Sequence, residues 1–185
     1  MFLQGQVVPI SAGLDGAPEW PAIRSLLPNL QGKRVVDLGC GFGWFARWAR
    51  KHGAARILGV DLSENMIARA KVDTDDPGIE YVIDDLEQVA LPEASFDFAY
   101  SSLVFHYIHN FDRLVKAVFR ALVPHAHFIF TIEHPIYMAS NVARLVGGQA
   151  RSQNMASTAI PSRARARQTG LHKAWSSSIA RSARY

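Results

Sequence analysis

Nine residues, Val35-Val36-Asp37-Leu38-Gly39-Cys40-Gly41-Phe42-Gly43, constrain this chain more than any other stretch. They read as a buried strand ending in an acid, a glycine-rich turn, and a helix that begins near Trp44. Glycines at those positions let backbone approach a ligand where a β-carbon would obstruct it. The helix start behind them supplies free N–H groups. Taken alone, the run is either a plain tight turn between strand and helix or a cradle for a nucleotide-like cofactor.

Spacing separates the candidates. A dinucleotide fingerprint needs G-x-G-x-x-G/A, but here the glycines fall at 39, 41 and 43, and Trp44 takes the sixth position. The second segment, Arg56-Ile57-Leu58-Gly59-Val60-Asp61, reads as another buried strand ending in an acid, and Asp61 follows Gly43 by 18 residues. A carboxylate at the end of a second strand is where a ribose diol is gripped in nucleotide-binding α/β folds. The alternative for Asp61 is a solvated strand end or a helix cap.

The pattern of elements is α/β. Strands expected near 33–38, 56–61, 79–83, 96–101 and 127–132 alternate with helices, which predicts a mostly parallel sheet. Helices are expected at 18–29, around Trp20, Ile23, Leu26 and Leu27; at 43–52, with Phe45, Trp48 and Ala49 inward; and after Ser63 as N-cap, with Met66, Ile67 and Ala70 inward. A fourth, at 111–122, turns Leu114, Val115, Val118, Phe119 and Leu122 inward. The run Asp73–Gly78 is a loop signal.

Composition is divided. All 16 acids lie at or before Glu133; that part carries 12 Lys and Arg, a balance of −4. From His134 onward there are 8 Lys and Arg and no acid, a balance of +8. The single cysteine, Cys40, excludes an intramolecular disulfide and suits a reducing cytoplasm. It is read as a small residue that fits its loop, not a nucleophile. No secretory signal and no membrane-spanning run is expected.

Together the motifs resemble the class I S-adenosylmethionine (SAM) methyltransferases, and most of all the bacterial small-molecule group known as methyltransferase type 11. The resemblance runs from about Gly13 to Met138. Three blocks carry it: GLDGAPEWPAIRSLLPNLQGKRVVDLGCGFGWFARWA, ILGVDLSENMIARA, and SFDFAYSSLVFHYI with FTIEHPIY after it. It implies a Rossmann-like domain over 1–139, SAM as cofactor and a small-molecule methyl acceptor. An NAD-dependent oxidoreductase is disfavoured by Trp44.

By the same resemblance, Asp37 lies near the SAM ammonium, and Gly39, Cys40, Gly41 and Gly43 give the close backbone. Asp61 takes the ribose hydroxyls, and Leu62 packs on adenine. Met66 either closes that pocket or is a core methionine. Of Asp84 and Asp85, Asp85 better matches the acid that accepts the adenine amino group, with the N–H of Leu86 beside it; each is otherwise a loop acid. Ser101, Ser102, His106 and Tyr107 follow strand four at the sheet edge where such folds place their chemistry. His106 is the best candidate base, or a histidine bonded within the helix start. Glu133 and His134 end strand five and either serve the acceptor, by positioning or proton removal, or cap the structure. The histidines lack metal-ligand spacing, so no metal is expected.

The resemblance ends near Ala139. Residues 140–185 hold abundant Ser, Ala, Arg and Gln without strand alternation, and are expected to be poorly ordered. The last two strands of a seven-stranded sheet are then expected to be missing, leaving impaired turnover or an inactive SAM-binding remnant. A nucleic-acid arm built on Arg163, Arg165 and Arg167, with Trp175 or Tyr185, is the weaker reading. The stronger is a frameshift: in the shifted frame, permitted codons from Arg167 to Arg184 can spell TDWLAQGVVKQHRTIGT, which resembles a segment that relatives carry after the EHP block. The coding DNA decides it.

Overall fold

The computed structural model describes residues 2–3, 6–7 and 10–133, with side chains from Gly13 onward. The expected boundary near 139, the basic tail with the frameshift expected there, and His134 lie outside the described residues.

A short antiparallel hairpin, β1 (Phe2–Leu3) and β2 (Gln6–Val7), precedes a 3-10 segment at Ile10–Gly16. Helix α1 (Trp20–Leu26) has Pro21 in its first turn, where a missing N–H costs nothing. It ends earlier than expected. Pro28 disfavours helical geometry in the residue before it, and Leu27 is extended (φ −65°, ψ 135°).

Five parallel strands then form the sheet: β3 (Arg34–Leu38), β4 (Arg56–Asp61), β5 (Ile79–Ile83), β6 (Phe96–Ser102) and β7 (Leu122–Thr131). Their order is β5-β4-β3-β6-β7. The chain therefore reverses direction of growth at β3, and the crevice between β3's two neighbours opens at the strands' carboxyl ends, the place where such sheets bind ligands. Helices α2 (Trp44–Lys51), α3 (Glu64–Val72) and α4 (Phe111–Ala121) connect the strands. The Ser63 hydroxyl accepts the Met66 N–H and caps α3 as expected. The Asn110 side chain caps α4 through Arg113 N–H.

Alternation along the strands divides the core between the two sheet faces. Val35, Ile57, Phe98 and Tyr100 pack with Trp20, Phe45, Ala49 and Ile67. Val36, Leu38, Leu58, Val60 and Ala99 pack with Leu114, Val118 and Ala121. The buried stripe of α4 is Leu114, Ala117, Val118 and Ala121, an i, i+3, i+4, i+7 set. Phe119 was expected inward and is 79% exposed, because it falls outside that stripe.

β7 begins at Leu122, five residues earlier than the sequence suggests. Leu122 pairs with Phe96 and His127 with Phe98, so residues 123–126 stand opposite Asp97 alone. Within that bulge His125 adopts φ +64°. Pro124 and His125 interrupt the apolar pattern, which hides the start of the strand. The same irregularity breaks the alternation of β6, so Phe96 joins the α4 face although Phe98 lies on the other.

Candidate functional site

The glycine run is fastened to β4. Gly39 and Cys40 both donate their N–H groups to the Val60 carbonyl, at 2.7 and 3.0 Å. Gly43 closes the turn onto the Cys40 carbonyl at 2.8 Å and stands at the N-cap of α2 with φ +73°. A β-carbon on Gly39 would strike Val104, and one on Gly43 would strike Tyr81. Gly41 differs. Its φ is +52°, yet among the described residues nothing lies within 4 Å of where its β-carbon would stand. Two glycines are therefore required by protein packing, whereas Gly41 presents backbone that no described residue covers.

Asp37 is the penultimate residue of β3, 2% exposed, and its Oδ2 has no hydrogen-bond partner among the described residues. Burial, and then the charge of Asp61, push its carboxyl up to about 8. A buried carboxylate without a partner is costly and is relieved by a cation. Cys40 is buried too. Burial, followed by Asp37 and Asp61, raises its thiol well above the ordinary range, which leaves it protonated and poorly nucleophilic.

Asp61 faces the same turn. One carboxylate oxygen accepts Gly41 N–H at 2.8 Å and the other accepts Ser63 N–H at 2.9 Å. A carboxylate has about four acceptor sites, so both oxygens keep capacity for a pair of hydroxyls. Leu62 beside it is 43% exposed, an apolar surface at the rim. Met66 is half-buried one turn into α3. After β5, Asp85 accepts Glu87 N–H at 2.9 Å, and Asp84 accepts Asp85 N–H at 2.8 Å and donates its own N–H to Asp61 O. Leu86 turns its side chain into the core.

The second half of the site lies at the ends of β6 and β7. Ser101 is fully enclosed and donates its hydroxyl to the Leu38 carbonyl at 2.7 Å, which ties β6 to the residue before Gly39. Its side chain thus shapes the glycine turn from beneath. Ser102 Oγ lies 3.1 Å from Thr131 Oγ1. Leu103 N–H is shared between Thr131 O at 3.0 Å and Thr131 Oγ1 at 3.2 Å. This clasp holds the segment leading to the 3-10 turn Phe105–Tyr107, where His106 sits. His106 Nε2 is 4.0 Å from Glu133 Oε2, and neither imidazole nitrogen has a hydrogen bond among the described residues. Tyr107 is 72% exposed, with its ring against that of His106.

Sequence reasoning missed Tyr81, Val104 and Thr131. Tyr81 and Val104 looked like ordinary apolar positions. Thr131 carried a signal, as the one hydroxyl in the apolar run Phe128–Ile132.

A parallel sheet with its glycine turn and two strand-end acids around one crevice defines a Rossmann-like nucleotide-binding domain. The family model "Methyltransferase domain" matches residues 36–130, just over half of the chain. The chain belongs to this family, whose solved members here include SAM-dependent methyltransferases. One such enzyme from Mesorhizobium loti is 58% identical, with a TM-score of 0.67 over 69% of this chain and 59% of that one. An uncharacterized protein of Haemophilus influenzae is 41% identical over 134 residues, 69% of this chain and 52% of its own length. A malonyl-[acyl-carrier protein] O-methyltransferase of Serratia marcescens is 31% identical over 100 residues, 54% of this chain and 38% of its own length. The chain therefore spans about half the length of the curated relatives it matches.

Proposed function

We propose that this chain binds SAM and transfers its methyl group to a small-molecule acceptor. The observation that carries the reading is Asp37: a buried acid with an orphaned oxygen, beside bare glycine backbone, suits a ligand that brings its own ammonium. Asp37 would meet that ammonium, with Gly39, Cys40, Gly41 and Gly43 close along the amino-acid end. Asp61 would take the ribose hydroxyls. Leu62 and Met66 would pack on adenine, Asp85 would accept its amino group, and Leu86 N–H would reach the ring.

When bound, SAM supplies an activated methyl on a sulfonium centre. The protein's share is chiefly placement, which can account for on the order of 7–11 kcal/mol of a barrier. His106, beside Glu133, is the group suited to take a proton from the acceptor. Among the described residues no helix is long and apolar enough to cross a membrane. A cytoplasmic setting fits the buried free thiol.

Isothermal titration with SAM tests the reading: micromolar binding is expected, lost in Asp37→Leu and Asp61→Ala. Thermal shift by NAD but not by SAM would sink it. Transfer of labelled methyl from SAM into a metabolite extract tests turnover itself.

A further inference from the structure

His106 is in an unusual state for an imidazole. Both ring nitrogens are shielded from solvent and both lack a hydrogen bond among the described residues. Among the described residues its ionisable partner is Glu133, whose Oε2 lies 4.0 Å from Nε2. That gap is beyond hydrogen-bond range, but bonds of this kind are often long before a reactant is present and shorten in the complex.

What makes the pair more than a neighbourly contact is its frame. Glu133 follows Thr131 by two residues on one side of the pair. On the other side, the segment that delivers His106 is fastened to the same Thr131 by Leu103 N–H, which reaches both its carbonyl and its hydroxyl. Ser102 Oγ adds a third link at 3.1 Å. Leu103 itself adopts φ +55°, a conformation that costs a leucine energy and persists when its surroundings enforce it. One threonine thus sets the distance between the histidine and the carboxylate.

We propose that Thr131 and Glu133 are positioning residues that hold His106 with its proton on Nε2, toward Glu133, and leave Nδ1 as the basic nitrogen, which an acceptor reaches only by displacing the groups that enclose it in the free protein. Only the tautomer set by the second nitrogen's partner makes the first one basic. In the step, the acceptor's O–H or N–H bond breaks, the proton bonds to Nδ1, and the electron pair stays on the acceptor's nucleophilic atom. The resulting imidazolium lies beside the Glu133 carboxylate and passes its proton to water afterwards. The inference rests on the proton-accepting role given to His106 above.

NMR of the full chain labelled with 15N-histidine reads the tautomer directly, with His106→Asn identifying the signal. At about pH 8.5, above the ordinary imidazole range, the wild type is expected in the Nε2–H form. Glu133→Ala is expected to give a mixture of tautomers, and Thr131→Val to shift in the same direction. Glu133→Gln, whose amide oxygen still accepts, is expected to restore the Nε2–H form. An Nδ1–H form in the wild type, or a His106 signal unmoved by Glu133→Ala, overturns the inference. Calorimetric titration with SAM is run on the same samples. Its failure in the wild type would strike the cofactor reading and leave the tautomer result to stand by itself.

Discussion

The phenol of Tyr81 occupies the space that a β-carbon on Gly43 would need. Its hydroxyl also lies 3.2 Å from Thr74 Oγ1 and 3.4 Å from the Gly43 carbonyl, so a residue of β5 props the start of α2 from inside. Gly43→Ala meets both this ring and the strain of φ +73°. A loss of at least about 2 kcal/mol is expected in urea denaturation.

Gly41→Ala is expected to behave differently. Its β-carbon meets no atom of the described residues, so only the left-handed conformation is penalised, at roughly 1 kcal/mol. SAM affinity should fall by more than that figure implies, because the methyl group projects into the ligand's side of the turn. Paired denaturation and calorimetry separate the two effects. Equal losses of stability in Gly41→Ala and Gly43→Ala would contradict this division of labour.

Asp37 links binding to protons. Its folded value, about 8, lies far above the ordinary carboxylate value of 3.8. The stability it contributes is fully present below about 3.8, and is lost as pH rises through about 8. The free protein should therefore weaken across that window, and Asp37→Asn should flatten the slope. A ligand ammonium reverses the balance by favouring the carboxylate. SAM binding near neutral pH is then expected to release close to one proton. Calorimetry in buffers of different ionisation enthalpy measures this; a heat that ignores the buffer would refute it.

Asp97 carries the opposite sign. Burial works to raise its carboxyl, but the Arg34 guanidinium and the Arg34 N–H hold it below the usual carboxylate range. The pair is bidentate, at 2.9 and 3.0 Å, with the backbone N–H adding a third bond at 2.8 Å. It fastens the starts of β3 and β6. Its contribution is present above the ordinary carboxylate value and lost as pH falls through the lowered one. Asp97→Ala should cost about 1–2 kcal/mol at neutral pH, with the deficit shrinking in acid.

His125→Gly is a stabilising change. The residue is exposed and holds φ +64° at the bulge of β7. Removing that strain outweighs the added freedom of glycine in the unfolded chain, for a gain of roughly 0.5–1 kcal/mol. A lower midpoint in urea for His125→Gly would show that the side chain does something the backbone angle does not reveal.

What was legible in the chain is what local rules write. Asp37 and Asp61 stood out because each closes an apolar run and precedes a turn, and Ser63 stood out as a cap. The start of β7 was hidden because a bulge has no period. Phe119 was misplaced because the inward arc of α4 is set by Leu114, Ala117, Val118 and Ala121, and Phe119 lies just past its edge. His106 and Glu133 were found separately, by residue type and strand end. Their meeting depends on parallel pairing of β6 with β7, which joins residues nearly thirty positions apart.

The packing of the glycine turn bears on how the motif could be moved. Gly39 is moulded against Val104, and Gly43 against Tyr81, from loops and strands far outside Val35–Gly43. A nine-residue transplant into another α/β scaffold would carry the letters of the turn without its mould. The smallest portable unit is a discontinuous one: the turn itself, a tyrosine across β4 on β5, and a branched residue after β6.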